Sequence, residues 1–206
     1  MSNKFWDITF TLGVKAAQTH YGSRPHYAKS ENGAAKNARL TEQEIEFIGE
    51  RDGFYMATVG EKGQPYIQFR GGKRGFLKVL DDKTLGFADF RGNLQYISVG
   101  NVSKNKRVAL FLMDYANQRR LKVLAEAEVK DASEIPELIE KLRVADYKAK
   151  IERAIILHLE AFDWNCPQHI TPRFTIEEIK AMNAPLYDYV EKLEAEIKKL
   201  KKVVNV

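Results

Sequence analysis

The stretch L-G-F-A-D-F-R-G-N-L-Q-Y-I-S-V-G-N, Leu85 to Asn101, runs from an apolar strand through an Arg-Gly-Asn turn into an amide-rich segment. In the turn, Arg91 presents a planar fork of donors that suits phosphate or carboxylate. Gly92 and Asn93 tolerate positive φ, and Gly92 permits close backbone approach. Arg-Gly-Asn turns are also common loop chemistry. The stretch therefore predicts a strand that ends either in an ordinary turn or in an anion site.

The segments on both sides of this stretch have the two-residue period of strands. One hairpin is predicted from F-Y-M-A-T-V and P-Y-I-Q-F-R, at 54–59 and 65–70, and a second from G-F-L-K-V-L and T-L-G-F-A-D, at 75–80 and 84–89. Three more apolar or alternating runs predict strands at 107–113, 120–129 and 153–164. Six or seven strands with short turns and no β-α-β rhythm predict a mainly β fold, an antiparallel sheet closing toward a barrel with flanking helices.

Helical patterns occur before, within and after the predicted strands. Thr41 and Glu44 form a capping-box signature that opens a short helix with Ile45 and Ile48 on one face, and a further helix is predicted over 133–143. Near the C-terminus, apolar residues at spacings of 4, 3, 4, 3 and 4 form a coiled-coil seam: Leu186, Val190, Leu193, Ile197, Leu200 and Val204. Such a seam either packs on its own domain or self-associates. We thus expect an N-terminal arm, a barrel and a C-terminal helix, at 1–40, 41–174 and 175–206.

Composition restricts the class of protein. The 206 residues are 44 % hydrophobic and 30 % charged, which is ordinary for a globular domain. A net charge of +5 favours anionic partners only modestly, because basic and acidic residues are interspersed. The single cysteine, Cys166, excludes an intramolecular disulfide, and the four histidines lack metal-ligand spacing. With no apolar run long enough to span a membrane, we expect a cytoplasmic protein without metal or membrane association.

Three further segments combine anion-binding and aromatic residues. They are Gln68 to Gly72 after a strand, Asn117 to Arg120 between two strands, and Asp163 to His169 after the last strand. The arginines are either ligand donors or solvated hairpin ends, and Trp164 is either a ligand-facing ring or a core residue with its N–H satisfied. The sequence offers no carboxylate pair, catalytic triad or phosphate-binding loop, so no catalytic residue is identified. Redox chemistry would therefore require a cofactor.

Taken together, these motifs resemble the pyridoxamine 5'-phosphate oxidase-related family of FMN-binding split barrels. The resemblance rests on F-Y-x-A-T-V, P-Y-x-Q-x-R-G-G, G-F-L-x-V-L-D, F-A-D-x-R-G-N-x-Q-Y-I-S-x-G-N, V-A-L-F-L-M-D-Y and D-W-N-C-P-Q-H-I-x-P-R, all in order between Phe54 and Arg173. The true oxidases carry Ser-Arg-Lys where this chain has Arg91-Gly92-Asn93. That departure bears on the phosphate geometry and on activity toward vitamin B6.

The resemblance implies a homodimer with FMN sites at the subunit interface. It places Gln68, Arg70, Gly71 and Gly72 beside the flavin ring and ribityl chain, and Asp89, Arg91, Gly92 and Asn93 at the phosphate. It adds further cofactor-binding residues at Gln95, Ser98, Asn117, Arg119 and Arg120, and others from the partner subunit at Trp164, Asn165 and Gln168.

The implied function is that of an FMN-dependent oxidoreductase acting on a small molecule or on reduced nicotinamide. One alternative is a flavin-binding protein without turnover, a store or redox sensor, because no acid or base is identified. A nucleic-acid-binding barrel is a third hypothesis, prompted by the basic pI near 9.1. Little else in the sequence supports it, so we expect no nucleic-acid partner.

Overall fold

A computed structural model describes residues 3–29, 36–164 and 166–204, with side chains as far as Lys201. The described chain divides into two compact units. The first contains the residues up to Asp114 and those from Arg119 to Pro167, and the second joins Tyr115–Gln118 to the chain from Gln168 onward.

One antiparallel sheet of seven strands forms the centre of the first unit. The strands are β1 (Gly53–Val59), β2 (Pro65–Gly71), β3 (Lys78–Asp81), β4 (Thr84–Phe90), β5 (Arg107–Asp114), β6 (Arg119–Asp131) and β7 (Ile151–Trp164). Their order across the sheet is β2-β1-β5-β6-β7-β4-β3, so the hydrogen-bonded ladder is not closed. The predicted mainly β, antiparallel split-barrel class is confirmed.

Both predicted hairpins are present. β1 pairs with β2 from Gly53 opposite Gly71 to Val59 opposite Pro65. β3 pairs with β4 but begins at Lys78, three residues later than predicted, because Phe76 and Leu77 are buried in the core before the ladder starts.

The two ends of the sheet meet through side chains rather than through a ladder. Phe54 of β1 stacks on Phe76 at 5.6 Å between ring centroids, and Phe87 of β4 meets Phe54 edge-on at 5.4 Å. β1 and β4 are separated by three strands in the sheet order, so the sheet must curl to bring these rings together. This aromatic cluster lies in a continuous apolar core, and burial of that core stabilises the curled form.

Six helices in the described chain belong to the first unit: α1 (Lys4–Thr9), α2 (Leu12–His20), α3 (Arg24–Ala28), α4 (Glu42–Gly49), α5 (Ile97–Lys104) and α6 (Pro136–Leu142). The predicted capping box opens α4, with the Thr41 N–H donating to Glu44 at 3.0 Å. The two isoleucines predicted to share a face of α4 differ in burial. Phe47 is buried beside Ile48, whereas Ile45 is 41 % exposed, because the face that packs on the core also includes Glu44.

The second unit contains one long helix, α7 (Ile176–Val204), of 29 residues. Thr175 and Glu178 cap its start, with the Thr175 N–H donating to the Glu178 carboxylate at 2.7 Å. Within the same unit, the Gln118 side chain donates to the Ile170 carbonyl at 2.6 Å.

No helix in the described ranges has the length and apolar character needed to cross a membrane. Among the same residues, no group of three or more His, Cys, Asp or Glu side chains is arranged to hold a metal ion.

Candidate functional site

A pocket opens in the first unit where the inward face of β2 meets the end of β4, the loop into α5 and the start of β7. The space between its walls is about 430 Å³, including a part that is open to solvent. Alternate residues of β2 reach it, namely Tyr66, Gln68 and Arg70. The remaining lining residues are Asp89, Phe90, Gly92, Asn93, Leu94, Gln95, Tyr96, Ile97, Ser98, Val99, Glu152 and Arg153.

A buried arrangement of two arginines around one carboxylate lies at one side of this pocket. Arg70 Nη1 is 2.6 Å from Asp89 Oδ1, and Arg153 Nη1 is 3.5 Å from Asp89 Oδ2. Asp89 and Arg153 are paired residues of β4 and β7, so the sheet register itself brings them together. Arg70 comes from β2, at the other end of the sheet. The curl of the sheet is therefore what assembles the cluster.

Arg70 retains one unused donor. Its Nε is buried and has no hydrogen-bond partner in the described part of the chain. A buried N–H without an acceptor is costly, and such groups in folded proteins usually have a partner. An acceptor supplied by a ligand would satisfy it.

A second charged group borders the first. Glu152 accepts from Arg153, lies 3.0 Å from Arg91 Nε through its Oε1, and accepts from the Tyr96 hydroxyl at 3.3 Å. The Arg153 guanidinium also lies over the Tyr96 ring, 4.8 Å from its centroid. The two clusters place three arginines against two carboxylates, a net positive charge that favours an anionic ligand.

The two carboxylates are affected in opposite directions. Burial raises the pKa of Asp89 above its ordinary value, although Arg70 and Arg153 oppose the shift. Burial also acts to raise the pKa of Glu152, but the hydrogen bond and charge of Arg153, helped by Arg91 and Tyr96, bring it below its ordinary value. The site thus holds one carboxylate that ionises readily and one that ionises less readily.

The N-terminus of α5 also lines the pocket. Its first residues, Ile97, Ser98 and Val99, line the pocket, and no side chain caps the helix at Tyr96. The first backbone N–H groups of a helix have no acceptor within it and carry the positive end of the helix dipole. Together with Arg70, this uncapped end is suited to an anion.

In the turn before α5, glycine is not the residue that adopts positive φ. Positive φ occurs at Leu94 (62°) and Tyr96 (52°), while Gly92 does not adopt it. Bulky residues rarely take this conformation, which occurs mainly where surrounding contacts impose it. Polar side chains brace the same region: Ser98 donates to Gln68 at 3.1 Å and Asn93 donates to Gln95 at 3.2 Å.

The structure brings together seven of the predicted cofactor-binding residues in this pocket: Gln68, Arg70, Asp89, Gly92, Asn93, Gln95 and Ser98. Arg91 lies at its border, with its side chain 52 % exposed and paired with Glu152. Asn165 lies outside the described residues.

Gly71 and Gly72 accommodate neighbouring rings. A Cβ at Gly71 would stand 2.8 Å from the Phe69 ring, and one at Gly72 would stand 2.8 Å from Phe76. Space for these two rings is a sufficient reason for glycine at both positions.

The predicted residues near the C-terminal end of β7 have partners close to them in the fold. Trp164 donates its N–H to Glu44 at 2.7 Å and meets Phe47 edge-on at 4.7 Å, while Arg119 lies over the Trp164 ring at 4.7 Å. Arg120 has a buried Nε without a partner in the described chain. Asn117 and Gln168 belong to the second unit.

Sequence reasoning missed Tyr96, Glu152 and Arg153 as site residues. Glu152 lies just before the predicted strand at 153–164 and Arg153 is its first residue, and both precede the apolar alternation within β7. Their charges are evident in the sequence, but the register that pairs β7 with β4 is not.

The curled seven-stranded sheet and the pocket at its β2–β4 junction define a split-barrel protein. A family model described as pyridoxamine 5'-phosphate oxidase matches residues 40–182. The chain therefore belongs to the pyridoxamine 5'-phosphate oxidase family. No curated protein sequence matches it.

Several solved structures are similar to this chain. An FMN-binding protein from Syntrophomonas wolfei is 12 % identical, with a TM-score of 0.47 over 72 % of this chain and 97 % of that one. HupZ of Group A Streptococcus is 17 % identical, with a TM-score of 0.47 over 66 % and 100 %. A protein from Clostridium acetobutylicum related to general stress protein 26 of B. subtilis is 18 % identical, with a TM-score of 0.43 over 66 % and 94 %.

Proposed function

We propose that this chain is an FMN-binding flavoprotein and acts as an oxidoreductase on a small molecule. The observation that carries the proposal is the pocket in which the uncapped N-terminus of α5 and the unsatisfied Nε of Arg70 occur together. Membership of the pyridoxamine 5'-phosphate oxidase family supports FMN as the ligand.

The residues present fit this cofactor. FMN combines a phosphate dianion with a ring system rich in hydrogen-bonding atoms. Arg70 and the first N–H groups of α5 would hold anionic or acceptor oxygens, while Gln68, Asn93 and Gln95 offer amides to the rest of the molecule. When bound, FMN would supply the hydride transfer that side chains cannot perform.

The protein's own residues position the donors. Asp89 holds Arg70 by a contact of 2.6 Å, and Arg153 supports Asp89 from the neighbouring strand. Phe90, Leu94 and Ile97 give the pocket an apolar portion. Gly71, Gly72, Arg91, Asn117, Arg119 and Arg120, and a partner subunit's contribution from Trp164, Asn165 and Gln168, stay predictions.

The test is an absorption spectrum of the purified protein combined with FMN titration. We expect a flavin spectrum, or uptake of one FMN per chain followed by its bleaching on addition of NADH or NADPH and its reoxidation by an acceptor. A colourless protein that takes up no FMN would refute the proposal.

A flavin-binding protein without turnover is the second candidate. Both carboxylates in the pocket are engaged with arginines, so neither is a free acid or base. This function predicts FMN binding without rapid reduction by any nicotinamide. Fast reduction followed by transfer to an acceptor would exclude it.

We also propose a homodimer formed through the outer face of β1 and β2. Tyr55, Ile67 and Phe69 lie on this face and are 37 %, 62 % and 59 % exposed. Tyr55 and Phe69 are directly paired across the two strands. Contiguous exposed aromatic and aliphatic residues of this kind mark protein interfaces.

A further inference from the structure

The apolar seam of α7 has the residue types of a two-stranded coiled coil. When Leu193 is assigned to heptad position d, leucine occupies every d position from Leu186 to Leu200. The β-branched residues Val190 and Ile197 occupy the a positions between them. β-branched residues at a with leucine at d favour parallel dimers over trimers and tetramers.

Within the second unit, these seam residues are accessible. Leu186, Val190, Leu193, Ile197 and Leu200 are between 40 % and 58 % exposed. The described part of the seam rises along about 21 Å of helix at 1.5 Å per residue. An exposed apolar stripe of that length on a charged helix is unfavourable in water and calls for a partner.

The flanking residues indicate which partner fits. In a parallel pair, Glu196 at position g faces Lys201 at position e of the second helix, and the arrangement occurs twice by symmetry. The helix is therefore complementary in charge to a second copy of itself.

The same positions distinguish the orientation. Asn183 occupies the a position one heptad before Val190. In a parallel pair it meets its own copy, where the two amides can hydrogen-bond. An antiparallel pair of full overlap would set Asn183 opposite Leu200 and leave a buried amide without a partner. Pro185 lies at position c, on the outer side of the helix, so its ring stays out of the seam.

We propose that α7 pairs with α7 of a second copy of this chain as a parallel, in-register, two-stranded coiled coil. This contact is separate from the β1–β2 interface proposed above. It does not depend on FMN binding.

Disulfide trapping in the full chain tests the pairing and its direction together. In a Cys166→Ser background, Ile197→Cys places a thiol at an a position that meets its own copy in a parallel pair. Lys199→Cys, at the outer position c, is the matched control. Under mild oxidation Ile197→Cys is expected to form the covalent dimer about 100-fold faster than Lys199→Cys, because pairing raises the effective thiol concentration from micromolar toward millimolar.

Adding Leu193→Lys to the Ile197→Cys chain is expected to slow trapping to the rate of the Lys199→Cys control, with the circular dichroism of the barrel unchanged. Equal rates for Ile197→Cys and Lys199→Cys would overturn the proposal, whether both are fast or both are slow. Since an antiparallel pair keeps the two thiols introduced by Ile197→Cys apart, slow trapping would also reject the parallel direction. FMN titration of the same variants reports the cofactor site independently.

Discussion

Replacing Arg70 by methionine removes the guanidinium that links the two ends of the sheet while keeping most of the apolar stem. The side chains of Arg70 and Asp89 are only 14 % and 8 % exposed, and their contact is 2.6 Å. Breaking a buried ion pair by removing one partner costs about 3–5 kcal/mol. Arg153 remains 3.5 Å from Asp89 and compensates part of the loss. We therefore expect Arg70→Met to lower the free energy of unfolding by about 1–3 kcal/mol.

The same substitution tests the proposed cofactor site. Losing one charge-assisted hydrogen bond is worth about 1.5–3 kcal/mol, so FMN affinity is expected to fall about 10- to 150-fold. Fluorescence titration of FMN measures the affinity, and urea unfolding measures the stability. Arg74→Met is the matched control, because Arg74 pairs with Glu50 at 3.0 Å in an exposed position, where such pairs contribute less than about 1 kcal/mol.

The outcome that refutes the reasoning is specific. If Arg70→Met folds and binds FMN as tightly as the wild type and the Arg74→Met control, Arg70 does not hold the ligand. The double variant Arg70→Met/Asp89→Asn, compared with the two single variants, completes a double-mutant cycle. The double variant should lose less unfolding free energy than the sum of the losses in the two single variants, because it leaves no uncompensated carboxylate at this position.

Three other substitutions test separate features. The carboxyl of Asp89 has an ordinary pKa of 3.8, and burial raises its pKa in the folded protein because burial disfavours the ionised form. The wild type should therefore lose stability relative to Asp89→Asn as the pH rises from 3.8 through the raised pKa of the folded state. Urea unfolding at several pH values measures this slope, and the opposite slope would mean that the arginines outweigh burial. Trp164→Phe leaves Glu44, 3 % exposed, without this donor and should cost about 1–3 kcal/mol in thermal or urea unfolding; unchanged stability would contradict the hydrogen bond. Phe69→Glu, made in Leu193→Lys to remove helix pairing, should sediment as a monomer, and a persistent dimer would place the interface elsewhere.

The strands were readable from sequence because each has a local signal. The alternation in β1 and β2 and the glycine-rich turn between them predict the hairpin that the structure contains. β5 is apolar on both faces in sequence, as expected for a strand inside the sheet order.

Helix α5 had no comparable signal. It is eight residues long, contains Gly100 and Asn101, and begins after Tyr96, an N-cap residue whose side chain does not cap the helix. Glycine and asparagine are weak helix formers. Tertiary contacts hold this helix in place: Ser98 and Val102 are buried, and the Asn101 side chain donates to the Thr58 hydroxyl at 2.9 Å.

The site was predictable in composition but not in arrangement. Arg91 was prominent in sequence because it stands in a turn, yet Arg70 is the arginine that the alternation of β2 sends into the pocket. Arg153 reaches Asp89 only through the β4–β7 register, a pairing between segments far apart in the chain. A single sequence does not reveal such a register.

The alternation of β2 also constrains how this strand can change. Between Pro65 and Gly71, even-numbered residues line the pocket, while Ile67 and Phe69 are exposed on the other face. Inserting or deleting one residue early in the strand would reverse every later side chain, sending Arg70 into solvent and an aromatic ring into the pocket. The strand can therefore accept substitutions one at a time but not a change of length, and length variation should be confined to the β1–β2 turn and the connection into β3.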